Sequence, residues 1–330
     1  MDYEFTNILF VNYFVVQTNL MKIKVVGIGG SGVNTVSRMM KEKISGVELI
    51  AVNTDAQSLK NSPVPKKVLI GEKVTGGLGA GMDVKLGEKA AKESYDKLKE
   101  ILSGGEMIFL TCGLGGGTGT AGLPILGEIA KSLGALTIAA VTLPFSFEGV
   151  QRKNIANLGL KKLEGRVDTL LVIQNDKLLN LAEPNLQIQK AFWICDGVLR
   201  EAVKGISELI SSPSGLISVD FADLKGILKS SGRALLGIGC SSGEKRAFSA
   251  ANMALHSPLL DFSIKDAQGI LFNIAGRDDL TLSEVNLAAN FIKSAVPSGA
   301  KIVFGVSEDQ ALQKGEIKIT LIATSKNFKR

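Results

Sequence analysis

Histidine is nearly absent from this chain. The 330 residues contain one, His256. That excludes histidine-built metal centres and argues against Ser-His-Asp and Cys-His mechanisms. Cysteine is sparse as well. Cys112, Cys195 and Cys240 are odd in number and far apart, so they supply neither a disulfide framework nor a zinc ligand set. Such usage matches a reducing, cytoplasmic compartment. Aromatic residues make up only 5% of the chain. No apolar stretch is long enough to span a bilayer, which excludes a transmembrane helix and direct membrane insertion. Long blocks of like charge are missing too. The net charge of +6 arises from interleaved basic and acidic residues, which reads as a mixed solvated surface and not a nucleic-acid face.

What remains is ordinary globular composition, 45% hydrophobic and 21% charged, at a length that suits two domains. Glycine is the exception. The 37 glycines amount to about 11%, against ~7% on average. The first 20 residues also stand apart. They hold Tyr3, Phe5, Phe10, Tyr13 and Phe14 but no Lys or Arg. A signal peptide would need a positive leading region. Residues 1–20 therefore read as an N-terminal extension outside the fold, with Met21 opening the first strand pattern.

From Met21 onward, apolar strand-like runs alternate with helical spacing. Strands are expected at Lys22–Gly27, Val47–Asn53, Glu106–Cys112, Ala135–Thr142 and Asp168–Gln174. Helices are expected at Val33–Lys43, Val84–Leu102, Leu123–Leu133 (with Pro124 in the first turn) and near Val150–Leu163. Such alternation predicts a parallel sheet covered by helices on both faces. A longer helix spans about Leu186–Ser211, with a wide apolar stripe that predicts packing on more than one side. Ser211 to Gly215 ends it. A smaller α/β or α+β region follows. Its strands are expected at Ala234–Cys240, Gly269–Ala275, Lys301–Val306 and Glu316–Ala323. Its helices are expected at Asp223–Ser230, Glu244–His256 and Leu282–Ala295.

The glycines concentrate in three loops. The first, Gly27-Ile28-Gly29-Gly30-Ser31-Gly32, follows a strand, opens a helix and satisfies G-x-G-x-x-G. Glycines there let backbone N–H groups approach a phosphate at a positive helix end. Asp55 sits near the place of a ribose-binding acid, so a nicotinamide-dinucleotide oxidoreductase is one reading. The second loop, Gly113-Leu114-Gly115-Gly116-Gly117-Thr118-Gly119-Thr120, exceeds what a turn requires. Ordering so many glycines is entropically costly, which makes sense if N–H groups and hydroxyls face one polyanion. The third is Gly76-Gly77-Leu78-Gly79-Ala80-Gly81. Two helix ends plus this loop suit a triphosphate. None of the three contains Lys or Arg, and there is no P-loop motif. The charge would be met by backbone dipoles and a bound cation, Mg²⁺.

The Gly113–Thr120 run, together with Asn53-Thr54-Asp55-Ala56 and Asp220-Phe221-Ala222-Asp223, resembles the FtsZ family of the tubulin superfamily. The likeness covers roughly residues 21–325. It implies a Rossmann-like parallel-sheet GTPase domain over 21–185, a central helix over 186–212 and a smaller C-terminal α/β (α+β) domain over 213–330. It also implies a GTP/GDP- and Mg²⁺-binding GTPase that polymerises with itself head to tail for cell division, in the cytoplasm at the division site. Carried over by position, Gly29, Gly30 and Asn34 match the first phosphate loop, alongside Asn53 and Asp55. Gly79, Ala80 and Gly81 match the γ-phosphate loop, and Gly116, Gly117, Thr118, Gly119 and Thr120 the signature loop. Glu148 and Arg152 match the ribose-side pair. Asn175, Phe192 and Asp196 match the guanine-reading set.

Without the resemblance, Phe192 reads as core and Glu148–Arg152 as an exposed i,i+4 pair. Trp193 reads as packing, and Asp223 as a helix N-cap. With it, Ser218, Asp220 and Asp223 form the catalytic loop. From Phe192 to Ser211 a helix advances about 29 Å, so a loop beyond Ser211 cannot easily serve its own molecule's nucleotide. It suits the next molecule in a head-to-tail stack, a heterologous contact that builds filaments. Several residues depart from the family pattern: Ser218 where Asn is usual, Gly76 where Arg or Lys is common, Gln174 for Pro, Met82-Asp83-Val84 for a Gly/Ala-Asn-Pro segment, and Ala121 and Leu123 for small residues at the end of the signature. They bear on rate, and a filament scaffold with weak hydrolysis is the second reading. Partner adaptors are expected to lack a docking peptide here, since none is recognisable at the C-terminus.

Overall fold

The computed structural model describes residues 21–325 apart from 43, 45, 180–185, 212–215 and 261–262. The expectations for residues 1–20, for the helix stop at 212–215 and for the terminal 326–330 lie outside the described residues.

Long apolar runs become strands buried on both faces. β1 (Ile23–Ile28) is buried throughout, and β4 (Met107–Gly113) and β5 (Leu136–Leu143) are buried to their last residue. With β2 (Val47–Asn53), β3 (Lys66–Leu69) and β6 (Thr169–Gln174) they form a parallel array. Parallel strands need helical cover on both sides. One face carries the helix Gly29–Met39 and the central helix Ile188–Ser211. The other carries the helix Gly117–Ser132 and the helix Val150–Leu163.

The C-terminal half adds β7 (Gly232–Ser242), β8 (Gly269–Gly276), β9 (Lys301–Glu308) and β10 (Glu316–Ser325). β10 runs antiparallel to β7 and β8, while β8 and β9 are parallel. Three residue pairs join β6 to β7. The described strands thereby form one sheet in the order β3-β2-β1-β4-β5-β6-β7-β10-β8-β9. A separate apolar core lies under the helices Arg246–Leu255 and Leu282–Ala295.

Several expected boundaries shift. The first helix starts at Gly29, because the glycine loop itself forms its opening turn. The expected helix over Val84–Leu102 is two, Val84–Glu93 and Tyr95–Leu102. Ser94 breaks it: buried and turned inward, its hydroxyl accepts the Gly71 N–H at 3.0 Å. The signature helix begins at Gly117, so Pro124 lies inside it and not in the first turn. Pro124 has no N–H to donate there, and the helix is held by burial on nearly all sides. Asp220 caps the helix Phe221–Leu228, its carboxylate accepting the Ala222 N–H at 3.0 Å, so the cap is not Asp223. Trp193 is not packed in a core. It is 54% exposed, with the Arg200 guanidinium over its ring.

Candidate functional site

The carboxyl ends of five parallel strands converge on one cavity of about 370 Å³. Open α/β sheets place ligands at this edge. Each strand delivers residues at or just past its end: Ile28 and Gly29 at β1, Asn53 and Asp55 at β2, Gly113 and Leu114 at β4, Thr142 and Pro144 at β5, and Asn175 at β6. Two helices also begin at the cavity, Gly29–Met39 and Gly117–Ser132. Their positive ends suit an anion.

The loops are held by their own polar groups. The Leu114 N–H donates to the Thr142 carbonyl at 2.9 Å, and the Gly115 N–H to Thr120 Oγ1 at 3.0 Å. The Gly117 N–H donates to the Gly81 carbonyl at 2.7 Å, closing the third loop onto the signature helix. Helix geometry leaves the N–H groups of Thr118 and Gly119 without intrahelical acceptors, and both residues line the cavity. Thr54 and Thr118 hydroxyls bond at 2.7 Å beneath them. Glycine is required at Gly29: its φ is +75°, and a Cβ there would lie 2.9 Å from the Gly119 nitrogen.

At the other end the cavity is built for a flat, polar-edged group. The Phe192 ring is partly exposed and braced edge-on by Phe145, with centroids 5.3 Å apart. Asp196 is 8% exposed; its Oδ1 accepts from Thr35 Oγ1 at 2.7 Å, and Oδ2 pairs with Arg38. Burial pushes the Arg38 guanidinium below its ordinary value. Asn175 is buried, and its Oδ1 has no partner among the described residues. A buried amide oxygen left unpaired carries a desolvation penalty that a bound donor would relieve. On the flank, Arg152 donates to Glu148 at 2.7 Å, while Glu148 Oε1 accepts the Phe145 N–H. This is the expected i,i+4 pair, and both members face the cavity. Burial lifts the Cys195 thiol to about 12 and raises Cys112 as well, so neither offers a thiolate at neutral pH.

The cavity thus brings together Gly29, Gly30, Asn53, Asp55, Gly79, Gly81, Gly116, Gly117, Thr118, Gly119, Glu148, Arg152, Asn175, Phe192 and Asp196 from the expected set. Asn34, Ala80 and Thr120 are not among its lining residues. Asn34 is exposed, Ala80 is buried behind the loop, and Thr120 serves the loop's own geometry. Ser218, Asp220 and Asp223 lie elsewhere. The Val219 N–H donates to the Leu209 carbonyl at 2.9 Å, which ties their loop to the far end of the central helix. That helix meets the cavity at Phe192, Cys195 and Asp196. The sequence reading missed Ser31, Ser58, Thr142, Pro144 and Cys195. Thr142 had a usable signal, its place at the carboxyl end of a parallel strand. Ser58 had none. Asp55 caps the helix Ala56–Asn61 through its carboxylate, which is sufficient reason for an acid there without a dinucleotide.

Comparison with known proteins agrees with this architecture. The Tubulin/FtsZ family GTPase domain matches residues 22–183, and the FtsZ family C-terminal domain matches 232–327. Cell division protein FtsZ 1 of Pyrococcus abyssi is 48% identical over 310 residues, 94% of this chain and 82% of that protein. The Thermococcus kodakarensis protein of the same name is 49% identical over 303 residues, 92% of this chain and 80% of that one. An FtsZ dimer from M. jannaschii superposes with a TM-score of 0.89 at 46% identity, covering 93% of this chain and 89% of that one. CetZ2 from Haloferax volcanii, at 22% identity and a TM-score of 0.77 over 93% of this chain and 94% of that one, shares the fold. No similarity points to a nicotinamide oxidoreductase among these. The chain belongs to the FtsZ family, with a tubulin-type GTPase domain followed by the FtsZ C-terminal domain.

Proposed function

We propose that this chain binds GTP in the cavity at the strand ends, assembles head to tail into filaments for cell division, and hydrolyses GTP at sites shared between neighbours. The observation that carries this reading is a separation. The glycine-loop cavity opens at one end of the central helix, and the acidic loop of Asp220 and Asp223 is bound to its other end.

Asp196 and Asn175 read the guanine edge, the carboxylate accepting from the ring N1–H and the 2-amino group and the Asn175 side-chain NH₂ donating to the six-position oxygen. Phe192 stacks on the base. Glu148 and Arg152 hold the ribose side. The amides around Gly29–Gly30, Gly79–Gly81 and Gly116–Gly119 cradle the phosphates. Asp220 and Asp223, with Ser218 beside them, enter from the next subunit and orient the attacking water while accepting its proton.

The donor set fits a Mg²⁺ held mainly by phosphate and water. Among the described residues no cluster of three metal-ligating side chains exists. Of the cavity's three carboxylates, Glu148 and Asp196 are paired with arginines, and Asp55 caps its helix through one oxygen, so only its other oxygen would be free to approach such an ion. Such an ion would supply positive charge to offset that of the phosphates. The protein is expected at the division site; no described helix is long and apolar enough to cross a membrane.

The test is GTP turnover per molecule against protein concentration. A shared site predicts a steep rise above a threshold concentration. A constant specific rate down to high dilution would remove the shared-site mechanism. Filaments without turnover would leave a GTP-dependent scaffold, the reading that Ser218 motivates.

A further inference from the structure

Both oxygens of Asp196 are gripped by one helix. Thr35 Oγ1 donates to Oδ1 at 2.7 Å, and Arg38 pairs with Oδ2. Arg38 Nη1 also donates to the Phe192 carbonyl at 3.3 Å. Thr35 and Arg38 are three residues apart on the helix Gly29–Met39 and share a face. The same helix presents Gly29, Gly30 and Ser31 at the phosphate end of the cavity.

We propose that Thr35 and Arg38 are positioning residues for base recognition. They lock the Asp196 carboxylate in the orientation that pairs with a purine carrying a 2-amino group, and so set selectivity for guanine over hypoxanthine. The proposal rests on the reading of Asp196 as the base-contacting group.

The terminal torsion of an aspartate is broad and roughly two-fold. Left alone, the carboxylate would sample orientations and lose that freedom on binding. One bond to each oxygen removes the freedom in advance. It does not consume the acceptor, because each carboxylate oxygen offers two lone-pair sites. Capacity remains for the ring N–H and the amino group. Thr35 has a single proton to give, and the Ser31 carbonyl at 3.0 Å competes for it. The charged, nearer carboxylate is the stronger acceptor. Arg38 also supplies the counter-charge that a carboxylate only 8% exposed requires. By holding the Phe192 carbonyl, it fixes the stacking ring and the reading acid from one point. The arrangement links the phosphate-binding helix to the base-binding helix across 161 residues of sequence.

The experiment measures binding of GTP and of inosine triphosphate, which lacks the 2-amino group, by calorimetry on the full chain. The proteins are the natural sequence, Asp196→Ala, Arg38→Met, Thr35→Val, and the Arg38→Met/Asp196→Ala pair. Met keeps the aliphatic stem of Arg38, and Val keeps the shape of Thr35. The natural protein is expected to prefer GTP by about 10- to 100-fold, the worth of one hydrogen bond to a charged acceptor. Asp196→Ala is expected to abolish the preference. Arg38→Met and Thr35→Val are each expected to cut it by about threefold or more, and the double variant to lose no more than Asp196→Ala alone. Should one clamp variant fail to fold, the other still decides. If both weaken the two nucleotides equally, the role is merely structural and the proposal fails while the reading of Asp196 stands. If Asp196→Ala keeps the preference, or the natural protein has none, the base-reading assignment falls and takes the proposal with it.

Discussion

Asp223→Ala divides the proposed active site into its two contributing molecules. The Asp223 carboxylate meets Lys301 at 3.5 Å, with both side chains half or more exposed. Exposed pairs contribute about 0–1 kcal/mol, so folding should change by less than that. Its own pocket is remote. Leu209, which anchors the loop through Val219, lies roughly 26 Å along the helix from Phe192 at ~1.5 Å per residue. That is about three Debye lengths at physiological ionic strength, so GTP affinity should move less than about twofold. Turnover should fall by about 10²- to 10⁴-fold, the usual worth of a positioned acid or base. The decisive assay mixes this variant with Gly117→Val. A Cβ at Gly117 would sit 2.6 Å from the Asp83 carbonyl oxygen, backbone that cannot yield, so this second variant should lose GTP while keeping an intact acidic loop. Neither protein alone should turn over. Mixed equally, they should recover up to about a quarter of the natural rate, because one ordered neighbour pair in four joins a sound pocket to a sound loop. A mixture that co-sediments as filaments yet hydrolyses no faster than its parts would refute the shared site.

Two other outcomes follow from the structure. Phe192→Ala should weaken GTP by about tenfold, within the ~1–3 kcal/mol of an aromatic–base stack, and leave inorganic triphosphate binding unchanged. The ring is 38% exposed, so urea unfolding should shift by about 1–2 kcal/mol; equal losses for both ligands would place the ring outside the base site. Arg246 is buried between Glu284 at 2.6 Å and Asp279 at 2.7 Å and holds the Glu284 carboxyl down at about 2. A folded value below the unfolded one stabilises fully above about pH 4.5, and the gain drains as pH falls towards 2. Arg246→Met should cost about 2–3 kcal/mol at pH 7, at the low end for a broken buried pair since both carboxylates keep some solvent. It should also flatten the acid limb of urea stability measured at pH 7, 5 and 3. An unchanged limb would show that Glu284 is not held by Arg246.

The parts of the site that were legible are those written contiguously. A strand, a glycine loop and a helix start lie side by side in Gly27–Gly32 and in Gly113–Thr120, and backbone chemistry acts over a few residues. The helix Val150–Leu163 fell on its expected bounds, entered from Gly149 at a φ of +98° that glycine readily adopts. The break at Ser94 was illegible, since its cause is Gly71, 23 residues away in sequence. The cap was placed at Asp223, but the helix begins three residues earlier, and Asp220, in an extended backbone conformation, caps it. Trp193, read as packing, lies off the helix's apolar stripe and faces solvent, with the Arg200 guanidinium over its ring.

The sequence by itself determined the glycine loops proposed to cradle phosphate, the alternation that makes a parallel sheet, and the scarcity of histidine and cysteine. Each depends on residue type and short-range spacing. The tertiary structure decided the rest. It joined both halves through one sheet at β6 and β7 and set Asn175, Glu148, Phe192 and Asp196 around one cavity. It also clamped Asp196 from Thr35 and Arg38. Those pairings are made through space by side chains from separate elements, and no local propensity encodes which of them will meet.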